Sequence, residues 1–252
     1  MKKLIILLLF AFSSIFAGNT QELFESANAM YKEGKYTEAI KAYESLVDGN
    51  QVSSELFYNL GNCYYKLNKV APAIFNYERA LKLNPNNEDA QNNLIFANRL
   101  TIDRIEDLPK SVFQKLSSSY FEKLHYNTWG AFVILFAFLA VGLFLLFYFS
   151  FSPLKKRLFF TLSIISLLLL VTSYTIAYQQ YKKEVNTKEA IVFAESVSVQ
   201  TEPTNNASEA FVIHEGTKVK VLDAVDDWSK IKLADGKIGW LKNETIKLLN
   251  FF

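Results

Sequence analysis

Chemically reactive side chains are scarce in this chain. Its 252 residues include one cysteine, Cys63, and two histidines, His125 and His214. A lone cysteine closes no internal disulfide and builds no cysteine-ligated zinc site. The histidines form no His-x-x-x-His spacing of the kind that grips a metal from one helix face. Gly236 and Gly239 read as hairpin residues, without the lysine and serine of a phosphate loop. The acidic residues are scattered over polar stretches and form no pair suited to general acid–base work. These absences exclude the common catalytic, cofactor and metal constellations, and the chain reads as a non-enzyme.

A strong charge of either sign is also missing. The formal net charge is +2. Residues 19–108 hold 13 acidic and 9 basic side chains, and residues 179–252 hold 11 and 10. The positive excess sits at the N-terminus and beside hydrophobic runs. No basic footprint for nucleic acid is left.

What the sequence does have is long apolar runs. Trp129–Phe151 and Leu158–Tyr178 contain no Asp, Glu, Lys, Arg or His, and each is long enough as a helix to cross roughly 30 Å of hydrocarbon. The segment between them, 152–157, reads Ser152-Pro153-Leu154-Lys155-Lys156-Arg157. So short a turn returns the second helix antiparallel to the first and leaves both flanking regions on one side. The spans are expected over 127–151 and 158–178. The basic cluster marks the turn as cytoplasmic. Tyr126, Trp129, Tyr174, Tyr178 and Tyr181 bracket the hairpin at interfacial depth.

Residues 1–18 form a third apolar element, with a charged start at Lys2-Lys3, a core over Leu4–Phe12 and a small-residue exit through Ala17-Gly18. This is the pattern of a secretory signal peptide. Cleaved or retained as an anchor, it places residue 20 onward outside the cytoplasm. The resulting expectation is a multi-pass protein of a bacterial inner membrane with both soluble regions in the periplasm.

Residues 20–87 repeat at an interval of 34, as 20–53 and 54–87. Ala39, Tyr43 and Leu46 return as Ala73, Tyr77 and Ala80. The second unit is the fuller, with Phe57, Leu60-Gly61, Tyr64, Ala73, Tyr77, Ala80 and Pro85. Small residues where helices touch and aromatics wedged between them are the physical pattern of a helix–turn–helix repeat. The segment resembles the tetratricopeptide family. Gly34 and Asn68 are expected at turns needing a left-handed residue. Glu88–Asp107 is expected as a long capping helix, and 108–126 as an amphipathic linker helix, either packed on the protein or lying in the membrane surface.

The surface available in such a solenoid is the face of its first helices. Candidate groove residues are Asn28, Tyr31, Lys32, Tyr58, Asn59, Asn62, Tyr65 and Lys66, joined by Asn92 or Asn93 from the capping helix. Asparagine and tyrosine suit an extended peptide or a partner helix; the same residues also suit a solvated face. Some members of the family grip a terminal carboxylate with a basic clamp, but Phe24 and Asp89 stand where basic residues would be required.

After the hairpin the pattern changes to short alternating strands with turns at Glu215-Gly216, Asp226-Asp227 and Asp235-Gly236. Gly216-Thr217-Lys218-Val219, Trp228-Ser229-Lys230-Ile231 and Asp235-Gly236-Lys237-Ile238-Gly239-Trp240-Leu241 resemble bacterial SH3-like domains. A small all-β barrel over 189–252 is expected. The resemblance implies protein contact or recognition of cell-wall peptides. Many relatives have an arginine and a glycine before the proline of the first long loop, where this chain reads Val199-Gln200-Thr201-Glu202-Pro203. Trp228 and Trp240 are candidate surface residues, open to a reading as core or rim aromatics.

The fold class is thus a multidomain membrane protein: an all-α tetratricopeptide solenoid, a two-helix transmembrane hairpin and a small all-β SH3-like barrel. The order of these parts is similar to that of the BatE family of Bacteroides aerotolerance operons. That resemblance implies membrane-bound von Willebrand A-domain proteins as partners and, indirectly, an AAA+ ATPase on the cytoplasmic side. A scaffold or adaptor follows, with a peptidoglycan-associated sensor or anchor as the alternative.

Overall fold

The computed structural model describes residues 20–106, 108–109, 115, 121 and 123–249. The signal-peptide segment 1–18 and most of the linker 108–126 lie outside the described residues. The chain forms two compact units, one of residues up to Leu108 together with Lys188 onward, the other of Pro109–Thr187.

Among the described residues, five helices open the first unit: α1 (20–32), α2 (Tyr36–Asp48), α3 (Ser54–Lys66), α4 (Val70–Leu83) and α5 (Glu88–Asn98). Two first helices start on side-chain caps one repeat apart. Ser53 accepts the Leu56 N–H at 3.0 Å, and Asn87 accepts the Ala90 N–H at 3.0 Å. The turns at Gly34 and Asn68 take positive φ, 77° and 56°, as the pattern requires. Ala27, Ala39 and Ala73 are fully buried. A Cβ on Gly61 would stand 2.7 Å from the Tyr77 ring, so this close approach depends on glycine.

The expected long capping helix is not formed. α5 ends at Asn98, and 101–106 continue without helix. The β module follows at Lys188, and its strands are β1 (Lys188–Val192), β2 (Ser196–Gln200), β3 (Glu209–His214), β4 (Lys218–Val225), β5 (Trp228–Lys232), β6 (Ile238–Lys242) and β7 (Ile246–Leu248). They make one antiparallel sheet in the order β3-β2-β6-β5-β4-β1-β7. Val192, Val199, Ile213, Val219, Ile231 and Leu241, from six of the strands, share one core, so the sheet is strongly curled. Its ladder does not close into the expected barrel among the described residues, because β3 and β7 remain its two edges.

This β module covers the end of the solenoid in place of a long helix. Ile191 and Leu249, fully buried, pack with Ala71, Ala73, Ile74, Tyr77 and Ala97 in a single cluster. Each large side chain buried this way contributes about 1.5–3 kcal/mol. Phe75 and Phe193 meet edge to face at 5.5 Å. Lys218 on β4 bonds Glu78 on α4 at 2.8 Å and Glu189 on β1 at 3.2 Å. Burial opposes its charge, but the two carboxylates outweigh burial and raise its pKa. Asp103 accepts from the His214 N–H at 2.6 Å, the His214 ring at 2.8 Å and the Thr217 hydroxyl at 2.6 Å. The reason a helix does not continue to Asp107 is visible here: Asp103 and Ile105 are drawn onto the β module instead.

In the second unit, α6 (Tyr126–Phe149) and α7 (Pro153–Asn186) are both long and apolar enough to cross a membrane. The connection is shorter than 152–157. Ser152 is the cap and Pro153 opens α7, where its missing N–H costs nothing, so Lys155–Arg157 lie within the helix. Ser163 donates to the Ala140 carbonyl at 3.0 Å and Ser166 to the Phe136 carbonyl at 2.9 Å, which fixes an antiparallel pair. Small hydroxyl residues allow that close approach and satisfy themselves across it. α7 has 34 residues, about 50 Å at the helical rise, and so exceeds the apolar thickness of a bilayer.

Gly216 tests the covering of the solenoid. It has φ +84°, and a Cβ there would lie 2.7 Å from Thr101 Cγ2 and 3.0 Å from Ile74 Cδ1. Gly216→Ala is expected to destabilise the first unit by about 1–3 kcal/mol. In detergent-solubilised protein, the far-ultraviolet helix transition and the tryptophan fluorescence transition should shift down together. A shift in fluorescence alone would show that the modules melt independently.

Acid provides a second test. Burial tends to raise the Asp103 pKa, but the bonds from Thr217 and His214 prevail and lower it. A carboxylate with a depressed folded pKa contributes stability that is present above its unfolded value and lost as pH falls through the folded one. The contact should therefore hold at neutral pH and weaken only below about pH 4. Asp103→Ala should flatten the acid limb of a melting-temperature profile.

Candidate protein-binding surfaces

Asn28, Tyr31 and Lys32 lie on α1, and Tyr58, Asn59, Asn62, Tyr65 and Lys66 on α3. The asparagines have an internal task. Asn28 Oδ1 accepts from the Tyr43 hydroxyl and from the Asn59 amide at 2.9 Å. One repeat later, Asn62 Oδ1 accepts from the Tyr77 hydroxyl at 2.8 Å and from the Asn93 amide at 2.8 Å. The ladder therefore ties α1 to α3 and α3 to α5 while satisfying two otherwise buried phenols. Burial raises the pKa of both Tyr43 and Tyr77 above the usual tyrosine range, which keeps them neutral donors.

The tyrosines on this face are half-buried. Tyr31 leans on Tyr36, with ring centroids 5.4 Å apart, and Tyr58 on Tyr77 at 6.2 Å. Lys32 and Lys66, one repeat apart, are exposed on one rim. Carrying the 34-residue interval one step further leads from Asn62 to Phe96 and from Lys66 to Leu100. Both are exposed on or just beyond α5, at 48% and 47%. Arg99 stands beside Phe96, with its guanidinium 5.3 Å from the ring centroid. Sequence reasoning missed these residues because it read α5 as a cap rather than as a third first-helix. The face therefore grades from asparagine, tyrosine and lysine on α1 and α3 to an apolar end at α5.

In the β module, Trp228 and Trp240 are half-buried on the outward side of β5 and β6, while their neighbours Ser229, Ile231 and Leu241 point inward and are buried. This excludes the reading of the two tryptophans as core residues. Beside Trp228 a cavity of 250 Å³ is lined by Ser196, Val197, Ser198, Gln200, Asn205, Lys242 and Thr245.

Cys63 is fully buried in the first repeat's core, and burial pushes its thiol up to about 12. It is therefore a packing residue rather than a nucleophile. Among the described residues no cluster of His, Cys, Asp or Glu could hold a metal ion.

Comparison with known families agrees with this architecture. A tetratricopeptide repeat model matches residues 54–87, a second TPR repeat model matches 27–68, and a bacterial SH3 domain model matches 195–247. No curated protein matches the chain. The chain thus contains tetratricopeptide repeats and a bacterial SH3 domain, which are non-catalytic interaction modules.

The ladder separates structural from binding roles. Tyr77→Phe removes one buried hydroxyl and one of the two bonds accepted by Asn62 Oδ1, so a loss of about 1 kcal/mol is expected. Lys32→Glu combined with Lys66→Glu should leave stability within about 0.5 kcal/mol, as surface changes do. Chemical denaturation of the two variants beside the unaltered protein checks both values.

Proposed function

We propose that this protein is a non-catalytic adaptor of the cytoplasmic membrane, with both interaction modules on the periplasmic side. Its tetratricopeptide face binds an extended segment or helix of a partner protein. The observation that carries this reading is the packing of two interaction modules into one compact unit, in a chain that also has two helices able to cross a membrane. Lys155, Lys156 and Arg157 at the start of α7 support a cytoplasmic turn. The order of repeats, hairpin and SH3 module supports a BatE-type role in an envelope complex. In that role the partners are membrane-bound von Willebrand A-domain proteins, and an AAA+ ATPase acts indirectly from the cytoplasm.

The groove suits a partner segment with acidic side chains toward Lys32 and Lys66 and an apolar one over Phe96 and Leu100. Lys32→Glu with Lys66→Glu changes this surface without touching the asparagine ladder. In mild-detergent co-purification from native membranes, the unaltered protein is expected to recover von Willebrand A-domain proteins, and the variant at equal expression to lose them. Recovery unchanged by the variant would remove the groove from the contact. Recovery of no membrane partner by either protein would reject the adaptor reading.

A further inference from the structure

We infer that the outward face of β5 and β6 is a second docking site, which takes a short acidic segment of a partner protein. The register builds this face from three cross-strand pairs: Trp228 with Lys242, Lys230 with Trp240, and Lys232 with Ile238. Each pair sets one ammonium beside one apolar side chain. β4 extends the pattern by placing Lys220 directly opposite Lys232. Like charges facing each other across a sheet are destabilising. Among the described residues, none of Lys220, Lys230, Lys232 and Lys242 forms an ion pair. Two acids stand near by register. Glu189, opposite Lys220, is held by Lys218 at 3.2 Å, and Asp223, opposite Lys230, accepts from the Ala224 N–H at 2.9 Å. Lys230 lies 5.7 Å from the Trp240 ring, which leaves its ammonium on the surface of the face.

The arrangement selects a particular kind of occupant. Residues 188–252 hold eight lysines against ten acidic residues, a net charge of −2. Half of the lysines nevertheless gather on this one face. A long polyanion reaching beyond the patch would meet Asp226, Asp227 and Glu244, so phosphate-backbone binding is disfavoured. In an extended segment that alternates carboxylates with apolar residues, successive side chains point to opposite sides, so every carboxylate can turn toward this lysine-bearing face. Side chains two apart on an extended segment recur about every 7 Å, close to their spacing along a strand of the sheet. The cavity beside Trp228 and Lys242 receives a terminal side chain of the segment. This surface is separate from the tetratricopeptide face and does not depend on the reading of that face.

The test uses the full chain in nanodiscs of neutral phosphatidylcholine. The probe is a fluorescent hexapeptide alternating glutamate and phenylalanine, compared with one alternating lysine and phenylalanine and followed by anisotropy. The glutamate probe is expected to bind and the lysine probe not. Lys230→Glu with Lys232→Glu should weaken binding about tenfold or more. Lys237→Glu, off the ladder and paired with Asp235, should leave it unchanged. Binding should persist in the Lys32→Glu, Lys66→Glu variant, which separates this face from the groove. Lys232→Glu alone should raise the melting temperature, because it sets opposite charges against each other at Lys220.

A site that loses binding while the fold gains stability is one held for a ligand rather than for packing. The inference is overturned if the glutamate probe does not bind, if both probes bind alike, or if reversal at Lys230 and Lys232 changes nothing. It is also overturned if single-stranded DNA, anionic vesicles or isolated cell wall is retained in preference to the acidic probe, or if Lys232→Glu lowers the melting temperature.

Discussion

The first unit depends on covering the open side of α4. A helical repeat buries one face against its predecessor and leaves another bare, so a short array must end on something. Here the covering surface comes from beyond the α6–α7 hairpin in sequence. β1 and the residue after β7 supply Ile191 and Leu249, and Ala71, Ile74 and Ala97 receive them. The small residues of α4 and α5 make that approach possible, and Gly216 keeps the neighbouring turn clear of Ile74 and Thr101. Lys218 and Asp103 then set the orientation through charged hydrogen bonds whose partners lie on the opposite module.

Because the cover is itself an interaction module, two modules of different kinds belong to one compact body. The face of α1, α3 and α5 is rigidified by the asparagine–tyrosine ladder, so its exposed lysines and apolar end are presented in a fixed order. Preorganisation of this sort lowers the entropic cost of capturing a flexible partner segment. The hairpin of α6 and α7 is stabilised in another way. Its helices are held by close packing and by serine-to-carbonyl bonds from Ser163 and Ser166.

Much of this was legible from the chain alone, for local reasons. The 34-residue interval, the left-handed residues at Gly34 and Asn68, the glycine at position 61 and the two uncharged runs each state a short-range requirement. Helical packing turns that requirement directly into structure. Turn chemistry at Gly216 and Gly236 likewise announced short antiparallel strands. The length of α5 was not legible, because nothing within Glu88–Asp107 marks Asp103 as a hydrogen-bond acceptor for a turn 111 residues away. Asn62 read as a groove residue for a similar reason: its partners Tyr77 and Asn93 lie on other helices.

By itself, then, the sequence determined the kinds of element and their order, because periodicity and composition act within a few turns of chain. The tertiary structure decided which apolar surfaces meet and which polar side chains are already engaged. It also decided which lysines stand opposite one another across the sheet. Those outcomes depend on strand register and on contacts between segments separated by the whole α6–α7 hairpin, and no local pattern encodes them.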